Sequence, residues 1–205
     1  MIEVAALFVQ TNGCYFGLPQ VDPWDVTLDA RTYAGPWPVV AHPPCARWGR
    51  MAEVAFGRPT GKKIGDDGGC FASALASVRR WGGVLEHPAG SRAWEAFGLF
   101  APPTTGAWVP AGDLQGWTCF VEQGHYGHRT RKATWLYAVA RLAVLPDVVR
   151  GPSSPAGYER YVRGRKGGTW STFSRLSARQ RAATPLPFRD LLISIARSAK
   201  RASAA

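Results

Sequence analysis

Hydrophobic positions along the chain fall into three kinds of run. Continuous apolar stretches at 4–9, 39–41 and 84–85 are short and bounded by turn residues, so they read as buried strands. Phe71, Ala74, Leu75 and Val78 recur at helical spacing, as do Phe188, Leu191, Leu192, Ile195 and Ala199. Each set predicts a helix with one face on a sheet. Segments 117–122 and 134–139 are rich in β-branched and aromatic residues, with no helical pattern between them. They predict an antiparallel hairpin.

The punctuation between these runs sets their order. Two prolines and a cysteine, Pro43-Pro44-Cys45, follow the strand at 39–41. Neither ring donates an amide hydrogen and Pro43 is held extended, so Cys45 is delivered at a stiff corner just past a strand end. A Gly/Arg/Lys-rich loop leads to Asp66-Asp67-Gly68-Gly69, where acids suit the positive end of a helix starting there. Gly82-Gly83 stops that helix, and Glu86-His87-Pro88 closes the next strand. Strand, helix, strand in this order implies a parallel crossover, with Cys45 and Glu86 on one edge of one sheet. In open α/β sheets, that edge is where ligands bind.

Pro88 to Ser91 turn the chain into a short helix around Trp94 and Phe97, and a Pro/Gly-rich loop spans 102–116. The hairpin tip carries Gly124 to Lys132, with His125, His128, Arg129 and Arg131. Residues 151–168 are polar, glycine-rich and basic, with Tyr158, Tyr161 and Trp170 interleaved. That composition suits either stacking on bases or a flexible linker. Ser177 to Gln180 has the form of a capping box, and Thr184-Pro185 opens a last helix that docks on the body. There are no internal repeats.

Charge changes this picture more than length does. The 205 residues fit one α/β domain at 1–150 with a basic extension of linker and helices at 151–205. No stretch reaches the ~18 apolar residues of a membrane span. Glu3 and Gln10 interrupt the first apolar run, which argues against a secretory leader. The expectation is a cytoplasmic protein with no membrane partner, in a bacterial or phage-infected cell. Residues 1–100 hold nine basic and nine acidic residues, whereas 101–205 hold sixteen and five. The whole net charge of +11 therefore sits in the second half, whose sixteen basic residues all lie from Arg129 onward. Such asymmetry points to a polyanion, and nucleic acid is the usual one.

Candidate chemistry is concentrated at the strand ends. Cys14, Cys70 and Cys119 read as small buried residues, and the four cysteines contain no CxxC pair. A zinc site from His42, Cys45, His87 and Cys119 lacks the close-spaced pairs of structural zinc sites, so no metal is expected. After the first strand, Gly13 and Gly17 would let backbone approach a ligand, and Asp22, Asp25 or Asp29 could accept hydrogen bonds from a ribose.

Pro-Pro-Cys after one strand, Glu-His-Pro after the next, and Tyr126-Gly127 followed by Arg129 to Lys132 before a late strand together resemble the DNA (cytosine-5) methyltransferases. The resemblance covers about residues 4–140 and points to a short, divergent, phage-type member. It implies a Rossmann-like, class I methyltransferase-like sheet with a terminal antiparallel hairpin. It implies Cys45 as nucleophile, activated by a basic neighbour such as Arg47 or His42, and Glu86 as holder of the cytosine edge. Arg129 and Arg131 would hold the base carbonyl or phosphate. S-adenosylmethionine would be the cofactor, against Phe8, Asn12, Gly13, Gly17, Asp22 and Pro43. DNA or a nucleotide would meet Arg47, Arg50, His87, His128, Lys132, Arg163, Arg165 and Lys166. Three features depart from the family. The first loop lacks the first glycine of Phe-x-Gly-x-Gly, the stretch up to Cys45 is too short for two more strand–helix units, and no large target-recognition domain is present. Two other readings stay open: an enzyme on nucleotides or modified bases that needs no S-adenosylmethionine, and a non-catalytic DNA-binding protein on a degenerate methyltransferase fold.

Overall fold

A computed structural model describes residues 1–49, 52–55, 58–149, 162–166, 169–173 and 176–203. Its strands are β1 (Val4–Leu7), β2 (Val21–Trp24), β3 (Val39–Ala41), β4 (Val54–Ala55), β5 (Arg58–Pro59), β6 (Gly83–Pro88), β7 (Val109–Pro110), β8 (Trp117–Glu122), β9 (Ala133–Val139), β10 (Val162–Lys166) and β11 (Thr169–Phe173). The helices are α1 (Cys70–Trp81), α2 (Arg92–Ala96), α3 (Ala178–Ala182) and α4 (Leu186–Ser203). Seven strands form one mixed sheet in the order β2-β1-β3-β6-β9-β8-β7, and β4–β5 and β10–β11 are separate two-stranded pairs. β2, β1, β3 and β6 run parallel, while β9 pairs antiparallel with both β6 and β8. β3 and β6 are direct neighbours, Val40 opposite Val84 and Ala41 opposite Leu85.

Alternation along these strands sorts side chains onto two faces. Val4, Ala6, Val40, Val84, Leu136 and Ala138 pack with Phe188, Leu192, Ile195 and Ala196 of α4. Ala5, Leu7, Val39, Ala41, Leu85 and Tyr137 pack with Phe71, Leu75 and Val78 of α1 and Trp94 of α2. The last helix is therefore one of the two layers that bury the sheet, as its apolar stripe requires.

Local sequence explains the boundaries of α1. The Asp67 carboxylate accepts from the backbone of Gly69 and Phe71 and from Trp48 Nε1, serving the orphan donors of the first turn. Gly82 ends the helix at φ 76°. Gly83 starts β6 at φ 115°, and a Cβ there would lie 2.0 Å from the Val39 carbonyl oxygen, so the close β3–β6 approach requires glycine.

Strands appear in four places that read as loop or linker in the sequence: β4–β5 in the Gly/Arg/Lys-rich loop, β7 in the Pro/Gly-rich loop, β2, and the β10–β11 pair. The Pro/Trp-rich segment around Asp22 is not a plain loop: Val21–Trp24 is a parallel edge strand beside β1. Pro23 is tolerated because the strand has a partner on one side only. Within the basic extension, β10 and β11 form an antiparallel pair where composition offered a linker. Among the described residues, no helix is long and apolar enough to cross a membrane.

Candidate active site

The carboxyl ends of β1, β3 and β6 open on a cavity of about 840 Å³. Its walls come from the loop after β1 (Phe8, Asn12, Gly13, Tyr15), the corner after β3 (His42, Pro43, Cys45), Glu86 and Pro88 of β6, Lys132 just before β9, and Arg179 and Arg181 to Thr184 ahead of α4. Cys45 and Glu86 thus face one space, as the parallel pairing of β3 and β6 demands.

The loop after β1 holds its shape at a conformational cost. Phe8 and Asn12 both take left-handed backbone angles, φ 58° and 55°, and both line the cavity. Such strain in a residue with a side chain is typical of ligand-contacting segments. A Cβ on Gly13 would come within 2.7 Å of the Gln10 carbonyl oxygen, so this tight turn also needs its glycine.

At the inner end of the cavity lies a chain of hydrogen bonds. Tyr15 Oη is 2.8 Å from His42 Nε2, and His42 Nδ1 is 3.1 Å from Glu86 Oε2. Gln123 Nε2 donates to Glu86 Oε1 at 3.0 Å and to Thr134 Oγ1 at 2.9 Å. Burial alone would raise the Glu86 pKa, but the His42 hydrogen bond and neighbouring positive charge hold it down to about 2. Glu86 is therefore a carboxylate, and His42 Nδ1 donates to it. Burial pushes the Tyr15 phenol well up, so Tyr15 keeps its proton and donates to His42 Nε2.

Cys45 is exposed, yet desolvation of its thiol and the Glu86 charge raise its pKa, with Lys132 pulling the other way. The expected activation by Arg47 or His42 is thus corrected: neither is among the groups that depress this thiol, and the net shift favours the protonated form.

The remaining expected site residues divide. Phe8, Asn12, Gly13, Pro43 and Lys132 line the cavity. Gly17 and Asp22 do not; Asp22 accepts from Trp24 Nε1, and Asp25 is held by Thr11 and Thr27. Arg129 is exposed outside the cavity lining, and Arg131 pairs with the buried Glu122 at 3.2 Å. Arg47 is half-buried and also outside the lining. His87 lies on the opposite sheet face, 1% exposed between the rings of Phe71 and Trp94, which removes it from a nucleic-acid surface. His128 is likewise buried, bonding the carbonyls of Thr130 and Arg181. Arg50 lies outside the described residues. Arg163, Arg165 and Lys166 fall on β10, and the placement of their side chains lies outside the description.

Sequence reasoning missed Tyr15, Gln123, Arg179 and Arg181. Gln123 directly follows a strand whose alternation would have placed it beside Glu86, whereas nothing local links Arg179 to a cavity formed by residues 8–45. Among the described residues, no cluster of three or more His, Cys, Asp or Glu could hold a metal ion. No protein-family model matches the chain, and no curated protein or solved structure is significantly similar to it.

Proposed function

We propose that the protein is a nucleic-acid base-modifying enzyme, a cytosine C5 transferase on a Rossmann-like, methyltransferase-like sheet. One observation carries the reading: Cys45 and Glu86, from neighbouring parallel strands, line one cavity together with the strained loop after β1. The net charge of +11 supports a polyanionic substrate. Phe8, Asn12, Gly13 and Pro43 would hold S-adenosylmethionine, and the backbone approach at Gly13 suits it. When bound, it supplies an electrophilic methyl carbon.

The chain's own residues do the rest. The Cys45 sulfur would add to carbon 6 of the ring as the thiol proton passes through solvent to ring N3, which leaves carbon 5 as the nucleophilic end of a neutral enamine. Loss of the carbon 5 proton to solvent and departure of the thiolate, which takes back the N3 proton, then restore the ring. Glu86 accepts from the exocyclic amine with lone pairs left free by His42 and Gln123. Its charge is already in place before positive charge develops on the ring. The base must leave a stack to reach this depth.

An oligonucleotide containing 5-fluorocytosine tests the reading, because fluorine at carbon 5 blocks release. A covalent species on a denaturing gel is expected with the wild type and S-adenosylmethionine, and none with Cys45→Ser. Absence of any species with the wild type would refute it.

A second reading, an enzyme on nucleotides or modified bases without S-adenosylmethionine, is favoured by the aspartates. Asp22 and Asp25 are engaged by Trp24, Thr11 and Thr27, and no other carboxylate besides Glu86 lines the cavity to take ribose hydroxyls. Calorimetry showing no heat on titrating S-adenosylmethionine would select it.

A further inference from the structure

The mouth of the cavity carries an excess of positive charge. Lys132, Arg179 and Arg181 all line it, and among the described residues none of the three forms an ion pair with a carboxylate. Several arginines elsewhere in the fold are matched: Arg31 with Asp29, Arg79 with Asp113, Arg189 with Asp190, Arg197 with Glu3. The single carboxylate in the lining, Glu86, sits at the inner end and is engaged by His42 and Gln123. Three cations against one committed carboxylate leave the space strongly electropositive. The field of Lys132 reaches inward: it opposes the burial that raises the Cys14 and Cys45 thiols and adds to the groups that hold Glu86 down.

Two of these cations, Lys132 and Arg181, are also held in place, while Arg179 is exposed at the rim. Lys132 Nζ donates to the carbonyls of Ala182 and Ala183, and His128 Nε2 bonds the carbonyl of Arg181. The Ser177–Gln180 capping box fixes the start of α3, and Arg181 Nη1 donates to the Leu176 carbonyl at 2.6 Å. Neutral carbonyls orient the Lys132 and Arg181 charges without neutralising them. A solvated basic helix would explain exposed arginines on α3, but not their convergence with Lys132, from a different element, on one concave space.

We infer that the cavity mouth is a phosphate site: Lys132, Arg179 and Arg181 hold the phosphate of a nucleotide whose base points inward toward Glu86. The inward base rests on the cytosine reading above; the phosphate site does not. Guanidinium forks and an ammonium are suited to phosphate oxygens, and the two pre-positioned members, Lys132 and Arg181, lose little entropy on binding. The segment before α4 thereby becomes part of the site. A phosphomonoester of a free nucleotide and a phosphodiester of a polymer share this chemistry.

Calorimetry at low salt separates the possibilities. The probes are deoxycytidine, deoxycytidine 5′-monophosphate, deoxyribose 5-phosphate and a 12-nucleotide single strand. Arg179→Ala is the diagnostic variant, because Arg179 is exposed and its loss breaks no fold contact. Lys62→Ala, an exposed cation outside the cavity, is the control. The monophosphate should bind about tenfold tighter than the nucleoside, and Arg179→Ala should remove about three- to tenfold of that advantage. Melting temperature and nucleoside affinity should not change, and Lys62→Ala should match the wild type. An Arg179→Ala effect on the 12-mer alone also upholds the site and assigns a polymer. Deoxyribose 5-phosphate binding as tightly as the full nucleotide, with the Arg179 effect retained, upholds the phosphate site and sinks the cytosine reading. Unchanged affinity for all three phosphate-bearing probes in Arg179→Ala overturns the inference.

Discussion

His87 should make the protein acid-sensitive well above the carboxylate range. Its ring is 1% exposed, packed against Phe71 and Trp94, and neither ring nitrogen completes a hydrogen bond. Burial therefore lowers its pKa from 6.5 to about 4, although the Glu86 charge and the nearby Pro44 carbonyl oppose the shift. Between these values the unfolded chain binds a proton that the folded chain refuses. Stability is fully present above pH 6.5 and is lost as pH falls toward 4. At 1.36 kcal/mol per unit, the loss is about 2 kcal/mol by pH 5 and about 3 kcal/mol by pH 4. Glu86 does not confuse the upper window, because its own contribution fades only below its unfolded value of 4.5. Urea unfolding followed by tryptophan fluorescence from pH 7 to 5, on the wild type and His87→Phe, isolates the effect. Phenylalanine keeps a flat ring in the stack and removes the titration, and the other three histidines cancel in the comparison. Equal dependence on pH in the two proteins would refute the reasoning.

Two further substitutions probe the frame of the cavity. Glu86→Gln replaces a carboxylate oxygen by an amide N–H that must face a donor, either His42 Nδ1 or Gln123 Nε2. It should cost about 2–4 kcal/mol at pH 7 in denaturant titrations. Because Glu86 stabilises above its unfolded pKa and loses that contribution as pH falls toward about 2, the variant should also show a flatter stability profile below pH 4.5. Gly83→Ala should destabilise by about 3 kcal/mol or more, since the backbone is at φ 115° and the new Cβ meets the Val39 carbonyl oxygen. A melting temperature within two or three degrees of the wild type, roughly the span of a sub-kilocalorie change, would show that β3 and β6 can part at no cost.

Much of the fold could be read where the apolar period and the turn residues agreed. The β3–α1–β6 unit, the β8–β9 hairpin and the docking of α4 all rest on such agreement. β2 was hidden because its four residues include Pro23 and Asp22 and its stability comes from one neighbour, β1. β10 was hidden because arginine, glycine and lysine fill it, and β11 because its apolar residues, Trp170 and Phe173, are three apart, so neither strand carries an alternating apolar signal. The contribution of α3 to the cavity was beyond local reading for another reason. It depends on Lys132 and His128 bonding carbonyls about fifty positions later.

The site itself turns on face parity, a signal the sequence does contain. Val84 packs toward α4 and Leu85 toward α1, so two residues on, Glu86 follows Val84 while His87 follows Leu85. Glu-His-Pro therefore cannot present both its carboxylate and its imidazole to one space. The same parity carries His42 after Val40 to the α4 side, where it meets Glu86. On the hairpin, Thr134 and Leu136 share that side, so Lys132 reaches the cavity while Arg131 and Trp135 belong to the other. Gln123 follows Val121 by the same step and closes on Glu86 and Thr134. Reading Arg129 and Arg131 as the base-contacting pair treated the hairpin tip as a patch, when its alternation selects individual positions. A shift of one residue in the β6–β9 register would exchange Glu86 for His87 at the cavity and remove its carboxylate, so the register between these two strands determines which chemistry the cavity can perform.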